Sequence, residues 1–259
     1  MGSSVVQLGP GLVVALVALL ALGVVVGRSS GLGQERPVLR ACLRAAAQLA
    51  VVSSLIVVVV GSLWASAAFA VLMLCVAAAT SAGRVTGGPA RGRGAARRAL
   101  RLAAPLAAGV LPVLALVLAS GAVPLRGEAV VPVAGIVIGG AMAATSLAGR
   151  RMLDELEQRH GEVEAALALG FLPRDAALLV ARPVAATALV PALDQTRTVG
   201  LVTLPGAYVG VLLGGGSALQ AGAAQLLVLV GLLAAEVIAV WVVTEQVTRG
   251  AVRRCGTTP

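Results

Sequence analysis

AAAQLAVVSSLIVVVVGSLWASAAFAVLMLCVAAATSAG, residues 45–83, passes without one charged side chain. A helix rising 1.5 Å per residue needs about 20 residues to cross a hydrocarbon core about 30 Å thick. The run is therefore too long for one crossing and suits two, at 45–61 and 64–82, turning back near Gly61, Ser62 and Trp64. Hydrocarbon offers backbone N–H and C=O groups no partner, so a spanning chain is helical or a closed barrel. Uninterrupted apolar runs select helices.

The rest of the chain repeats the pattern. Of 259 residues 59% are hydrophobic and 12% charged, with a mean hydropathy of +0.99, well outside the composition of an ordinary soluble domain. Further spans are expected at 8–27, 102–123, 129–148, 184–214 and 223–243. Pro105 and Pro112 mark kinks in the fourth, and Pro205 and Gly206 interrupt the sixth. The expectation is an all-α integral membrane protein of about seven transmembrane helices, one permease-like domain over 1–259. The opening MGSSVVQLGP lacks the basic n-region of a signal peptide, so 8–27 reads as a span.

All 20 basic residues are arginine, and their placement sets an orientation through the excess of basic residues on the cytoplasmic side. With the N-terminus outside and the C-terminus inside, every arginine but Arg126 falls in a cytoplasmic segment. These are Arg28 to Arg44, the glycine-rich basic loop 84–101, Arg150 to Arg197, and Arg249, Arg253 and Arg254. An even number of spans would destroy this distribution. Aromatics are only 2% of residues, so there are no stacking platforms for bases, and nucleic acid is not an expected partner. Membrane lipid is.

The cytoplasmic loop 150–182 holds most of the acidic residues. Within it stands GEVEAALALGFLPRDAALLVARP, residues 161–183. Alanine and leucine favour helix over Glu162–Leu169, Gly170 supplies a left-handed stop, and Pro173 with Asp175 opens a second helix. A short helix with an alanine face lets another protein approach closely, which makes this a docking element.

Glu164, Ala165, Ala166, Gly170 and Pro183 resemble the EAA motif of ABC transporter permeases, with Arg182-Pro183 where that motif ends in Leu-Pro. The resemblance widens with VPVAGIVIGGAMAATSLA, residues 131–148, and VPALDQTRTVGLVTLPGAYVGVLLGG, residues 190–215. Together they are similar to the FetB-type permease family, linked to iron export. The likeness covers the last half of the chain, and the first half in layout. It implies a coupling helix that receives ATP-driven movement, a separate ATPase subunit that binds the ATP, a second permease copy, and residence in the plasma membrane. Where that family tends to carry asparagines in its fifth span, this chain has Gly140 and Ala144. A different substrate would follow if those amides touch the cargo.

Ionisable and polar groups inside spans are the candidates for a substrate pathway. Asp194 and Arg197 are spaced for a local ion pair. Thr187, Asp194, Thr198 and Pro205 also recur at helical spacing, as a polar stripe whose oxygens would suit a hard metal ion. Glu236 sits mid-span in LLAAEVIAV. Gln48 suits an interhelical hydrogen bond or substrate contact, and Met142 suits packing or a soft ligand. No metal site can be assigned. Cys42, Cys75 and Cys255 are too scattered for a zinc or redox motif, and His160 has no clustered ligands.

No GxxxxGK[ST] phosphate loop occurs, and no nucleophile, base and ligand converge, so the chain reads as a transport subunit without a cofactor of its own rather than an enzyme. Two readings stay open: an ABC permease, and a stand-alone secondary transporter or channel working through its intramembrane carboxylates. The latter lacks an evident inverted repeat.

Overall fold

The computed structural model describes residues 9–88, 92 and 94–255. Leu8 of the first expected span, and Arg91 and Arg93 of the basic loop, lie outside the described residues. The secondary structure is almost entirely helical, with no β-strand among the described residues and one isolated bridge between Val199 and Thr203. Among the described residues, seven helical segments are long and apolar enough to cross a membrane. The chain falls into two compact units, Met1–Val58 and Val59–Pro259.

In the first unit, α1 (Pro10–Ser29) starts on a proline, which costs nothing at a position where the N–H has no helical partner. The next helix, α2 (Glu35–Val60), starts well before the expected 45. Arg36, Arg40 and Arg44 recur every fourth residue and share one face, so the helix extends through them before becoming wholly apolar.

The second unit contains α3 (Leu63–Thr86), α4 (Ala95–Ala119), α5 (Gly127–Gln158), α6 (His160–Ala168), α7 (Pro173–Ala186), a 3₁₀ turn Thr187–Leu189, α8 (Val190–Thr198), α9 (Gly206–Leu213) and α10 (Ala218–Thr248). The basic loop expected at 84–101 is shorter. Gly87, at φ +67°, caps α3 with its N–H on the Gly83 carbonyl, and Arg97, Arg98 and Arg101 already belong to α4.

Close approaches fix the helix directions. The Ser81 and Ser146 hydroxyls meet at 3.0 Å, and a Cβ built on Gly135 would lie 3.1 Å from Met73 Cε. Residue numbers rise together along α3 and α5, which are therefore parallel. On α10, Glu236 faces Gly140 while Val243 faces Gly149, so α10 runs with α5; Gly109 meets Ala239 and Val113 meets Gly231, so α4 runs against it. Consecutive crossings by α3, α4 and α5 thus alternate. Gly109 has no room for a side chain, since a Cβ there would strike the Ala235 carbonyl. Small residues let membrane helices pack in this way where no hydrophobic force drives association.

Two differences from the sequence reading concern the polar end. α5 continues past the expected 148 to Gln158 and breaks only at Arg159 (φ −107°, ψ 32°), while α6 and α7 are the two helices expected around Gly170. The sixth membrane-length segment is Pro173–Thr198 rather than 184–214. Val199 is extended, the Thr198 carbonyl collects the N–H groups of Leu201, Val202 and Thr203 in a tight turn, and Pro205 caps a separate short helix. A proline ring and an extended preceding residue forbid one continuous helix through this stretch.

Candidate functional site

Between two membrane-length helices the chain makes a hairpin of α6 and the first turn of α7. Gly170 adopts φ +91° and donates its N–H to the Leu167 carbonyl, while the Phe171 N–H reaches the Ala166 carbonyl. This left-handed stop reverses the chain and leaves Leu167, Leu169, Phe171 and Leu172 exposed at the tip, Leu169 at 80%. Ala166 is buried, and Ala165 and Glu164 face outward. Among the described residues, Glu164 pairs with His160 Nδ1 at 3.5 Å. The structure brings Glu164, Ala165, Ala166 and Gly170 together on this hairpin; Pro183 lies apart, inside α7.

Ion pairs hold the hairpin at both ends. At its base Arg159 Nε donates to Glu162 Oε1 at 2.6 Å and the guanidinium reaches Glu155 at 3.5 Å. The hydrogen bond from Arg159 holds the Glu162 carboxyl below its usual range and raises the guanidinium in turn. Where α7 starts, Arg174 donates Nε to Glu245 Oε2 at 3.0 Å and its second terminal nitrogen to Oε1, with a further bond to Asp175 at 2.8 Å. Arg254 pairs with Asp154, tying the C-terminal tail to α5. Such pairs across long sequence separations carry no local signal, and sequence reasoning missed them.

The candidate pathway residues of the second unit each have their own surroundings. Asp194 and Arg197 pair at 3.5 Å on α8, both exposed, and the Thr198 hydroxyl donates back to the Asp194 carbonyl at 2.9 Å. Thr187 spends its hydroxyl on the Val184 carbonyl and accepts from Arg151 at 2.6 Å. Thr187, Asp194 and Thr198 of the polar stripe thus each have a local partner, while the Asp194 carboxylate stays exposed. Gln48 is exposed on α2, and Met142 packs beside the core formed by α3, α4, α5 and α10.

Glu236 differs from all of these. It is 6% exposed in α10, and among the described residues nothing offers it a hydrogen bond or a counter-charge. Its Oε1 points at Gly140, where an added Cβ would come within 2.6 Å. The absence of a side chain at 140 is what admits the carboxylate. Also on α5, Thr145 is fully buried with its hydroxyl oxygen unpartnered, a signal absent from the sequence. An unpaired carboxylate in a span must hold a proton, a cation or water to be tolerated. Among the described residues no three His, Cys, Asp or Glu side chains converge as a metal-ligand group.

Comparison with known proteins covers nearly the whole chain. Residues 11–252 match the uncharacterised protein family UPF0014. UPF0014 membrane protein STAR2 of Oryza sativa subsp. japonica is 33% identical over 228 residues, 87% of this chain and 77% of its own. Protein ALUMINUM SENSITIVE 3 of Arabidopsis thaliana is 38% identical over 106 residues, covering 41% of this chain and 39% of its own. A protein of Escherichia coli strain K12, named "Probable iron export permease protein FetB", is 35% identical over 106 residues, 39% of each chain. No solved structure matches.

Proposed function

This chain belongs to the UPF0014 family of membrane proteins, and we propose that it is the membrane-spanning permease subunit of an ATP-driven ABC transporter. Two copies pair with two ATPase subunits, which bind and hydrolyse the ATP. The N-terminus faces outward and the C-terminus lies in the cytoplasm of a cell bounded by this plasma membrane, so that the α6–α7 hairpin and the arginine-rich segments share the cytoplasmic side.

The observation that carries this reading is the hairpin. Four apolar side chains stand exposed at a tight turn between two membrane-length helices, rimmed by Glu162 and Glu164 and pinned to α10 through Arg174 and Glu245. An exposed apolar tip with an acidic rim suits a groove on a soluble partner, and the ion pair passes a push on the tip to the last membrane helix.

The cargo is a metal cation. An oxygen donor buried without a partner at Glu236 supports a hard cation, and the iron export named for the Escherichia coli relative supports iron. A second reading, secondary transport coupled through the same carboxylate, is favoured by Glu236 alone. Inverted membrane vesicles holding the chain and its ATPase separate the two. Metal movement that requires ATP supports the ABC permease; movement driven by an ion gradient without ATP overturns it.

A further inference from the structure

One face of α10 changes character along its length in the order a bilayer would impose. Leu226, Val230, Val237 and Trp241 recur at spacings of four and seven, all exposed, Trp241 at 64%. The same face then continues to Glu245 and Arg249, one and two turns further on. An apolar stripe ending in an indole and then in charge is the sequence of hydrocarbon, interface and headgroup region.

At the charged end a groove of about 510 Å³ opens between α7 and α10, lined by Arg174, Arg182, Trp241, Glu245, Gln246 and Arg249. Three guanidinium groups face one carboxylate. Arg174 and Arg249 share Glu245, Arg249 through its Nε alone at 3.1 Å, which leaves its terminal nitrogens unused. Arg182 is exposed and has no hydrogen bond or ion pair among the described residues. An unpaired guanidinium beside Trp241 and Val242 lies where water thins, and its planar fork matches a phosphate.

We propose that this groove binds the phosphate headgroup of an anionic membrane lipid, with the acyl chains laid along the Leu226–Trp241 stripe. Positive excess attracts the anion, the indole marks the headgroup level, and the volume lies within the range of ligand sites. A second copy of the chain fits less well, since a two-fold contact here would bring Arg182 and Arg249 towards their own kind. The site stands whether or not the chain works with an ATPase.

The test is lipid retention by the purified full chain in native mass spectrometry, with phosphatidylglycerol and phosphatidylcholine supplied equally. Wild type should keep phosphatidylglycerol, and Arg182→Gln and Arg249→Gln should each lower that retention about fivefold, with phosphatidylcholine low throughout. Arg182→Gln changes an exposed residue and is read on its own should Arg249→Gln fail to fold. Thermal protection by phosphatidylglycerol but not by inorganic phosphate is expected. Equal retention of the two lipids, unchanged phosphatidylglycerol retention in the variants, or equal protection by inorganic phosphate would overturn the proposal. So would loss of a dimer in Arg182→Gln with lipid retention intact.

Discussion

Arg174 and Glu245 form a two-pronged pair, Nε to Oε2 at 3.0 Å beside a second bond to Oε1, that fastens the first turn of α7 to α10 across 71 positions of sequence. Glu245 also accepts from Arg249 at 3.1 Å, so the carboxylate is shared between the two helices' basic residues. The hairpin is thereby one mechanical piece with the last membrane helix.

Breaking this pair should uncouple more than it unfolds. Glu245→Gln keeps the shape and loses the charge, and because the pair is solvent-accessible the loss of stability should be small. Metal movement should fall while ATP hydrolysis by the assembled complex continues. Thermal melting together with paired transport and hydrolysis assays checks this, and a double-mutant cycle with Arg174→Ala should show the two losses overlapping.

Glu236→Gln should leave assembly and folding intact, since the amide fills the same space opposite Gly140, while ATP-dependent metal movement drops at least about tenfold, the factor lost with about 1.4 kcal/mol of cargo binding. Vesicle uptake at matched protein levels measures it. Transport by Glu236→Gln at the wild-type rate would remove this carboxylate from the pathway.

Two glycines should respond in opposite ways to alanine. At Gly109 the new methyl would strike the Ala235 backbone carbonyl, so α4 and α10 must separate, at a cost of about 1–3 kcal/mol. At Gly139 a Cβ meets nothing within 4 Å, and alanine should be neutral or slightly stabilising through its helix preference. Melting of the two variants in one detergent compares them directly.

Acid should loosen the hairpin through Glu162. Its folded carboxyl titrates below the unfolded one because Arg159 donates to it, so the stabilisation is complete above the unfolded value of about 4.3 and disappears as pH falls through the lower folded value. The melting difference between wild type and Glu162→Gln should stay constant from neutral pH down to about 4.3 and shrink below it. A difference independent of pH throughout would contradict the pairing.

The architecture was legible because lipid simplifies the code. A charge-free run such as 45–83 can only cross, and every expected span contains a helix. Helix ends were less legible where charge does not end a helix. Arg36, Arg40 and Arg44 extend α2, and Arg150 to Glu157 extend α5, since arginine and glutamate are good helix formers once outside the bilayer. The sixth segment shifted because the residues from Val199 to Pro205 are apolar enough to look membrane-spanning, yet they form a turn that no hydropathy average detects. Of the candidate residues, the hairpin's Gly170 was readable from its type alone. The isolation of Glu236 and the Arg174–Glu245 pair depend on which helices meet, and that is written nowhere locally.

Co-purification of an ABC-type ATPase with the full chain tests the central claim most directly. Wild type is compared with Glu164→Arg, Gly170→Leu and Leu169→Asp at equal membrane expression. The account predicts that wild type brings down the ATPase and that each variant loses most of it, because the changes reverse the rim charge, force a side chain into φ +91°, or place a charge at the apolar tip. Equal recovery of the ATPase in all four, or no ATPase with wild type, would contradict it.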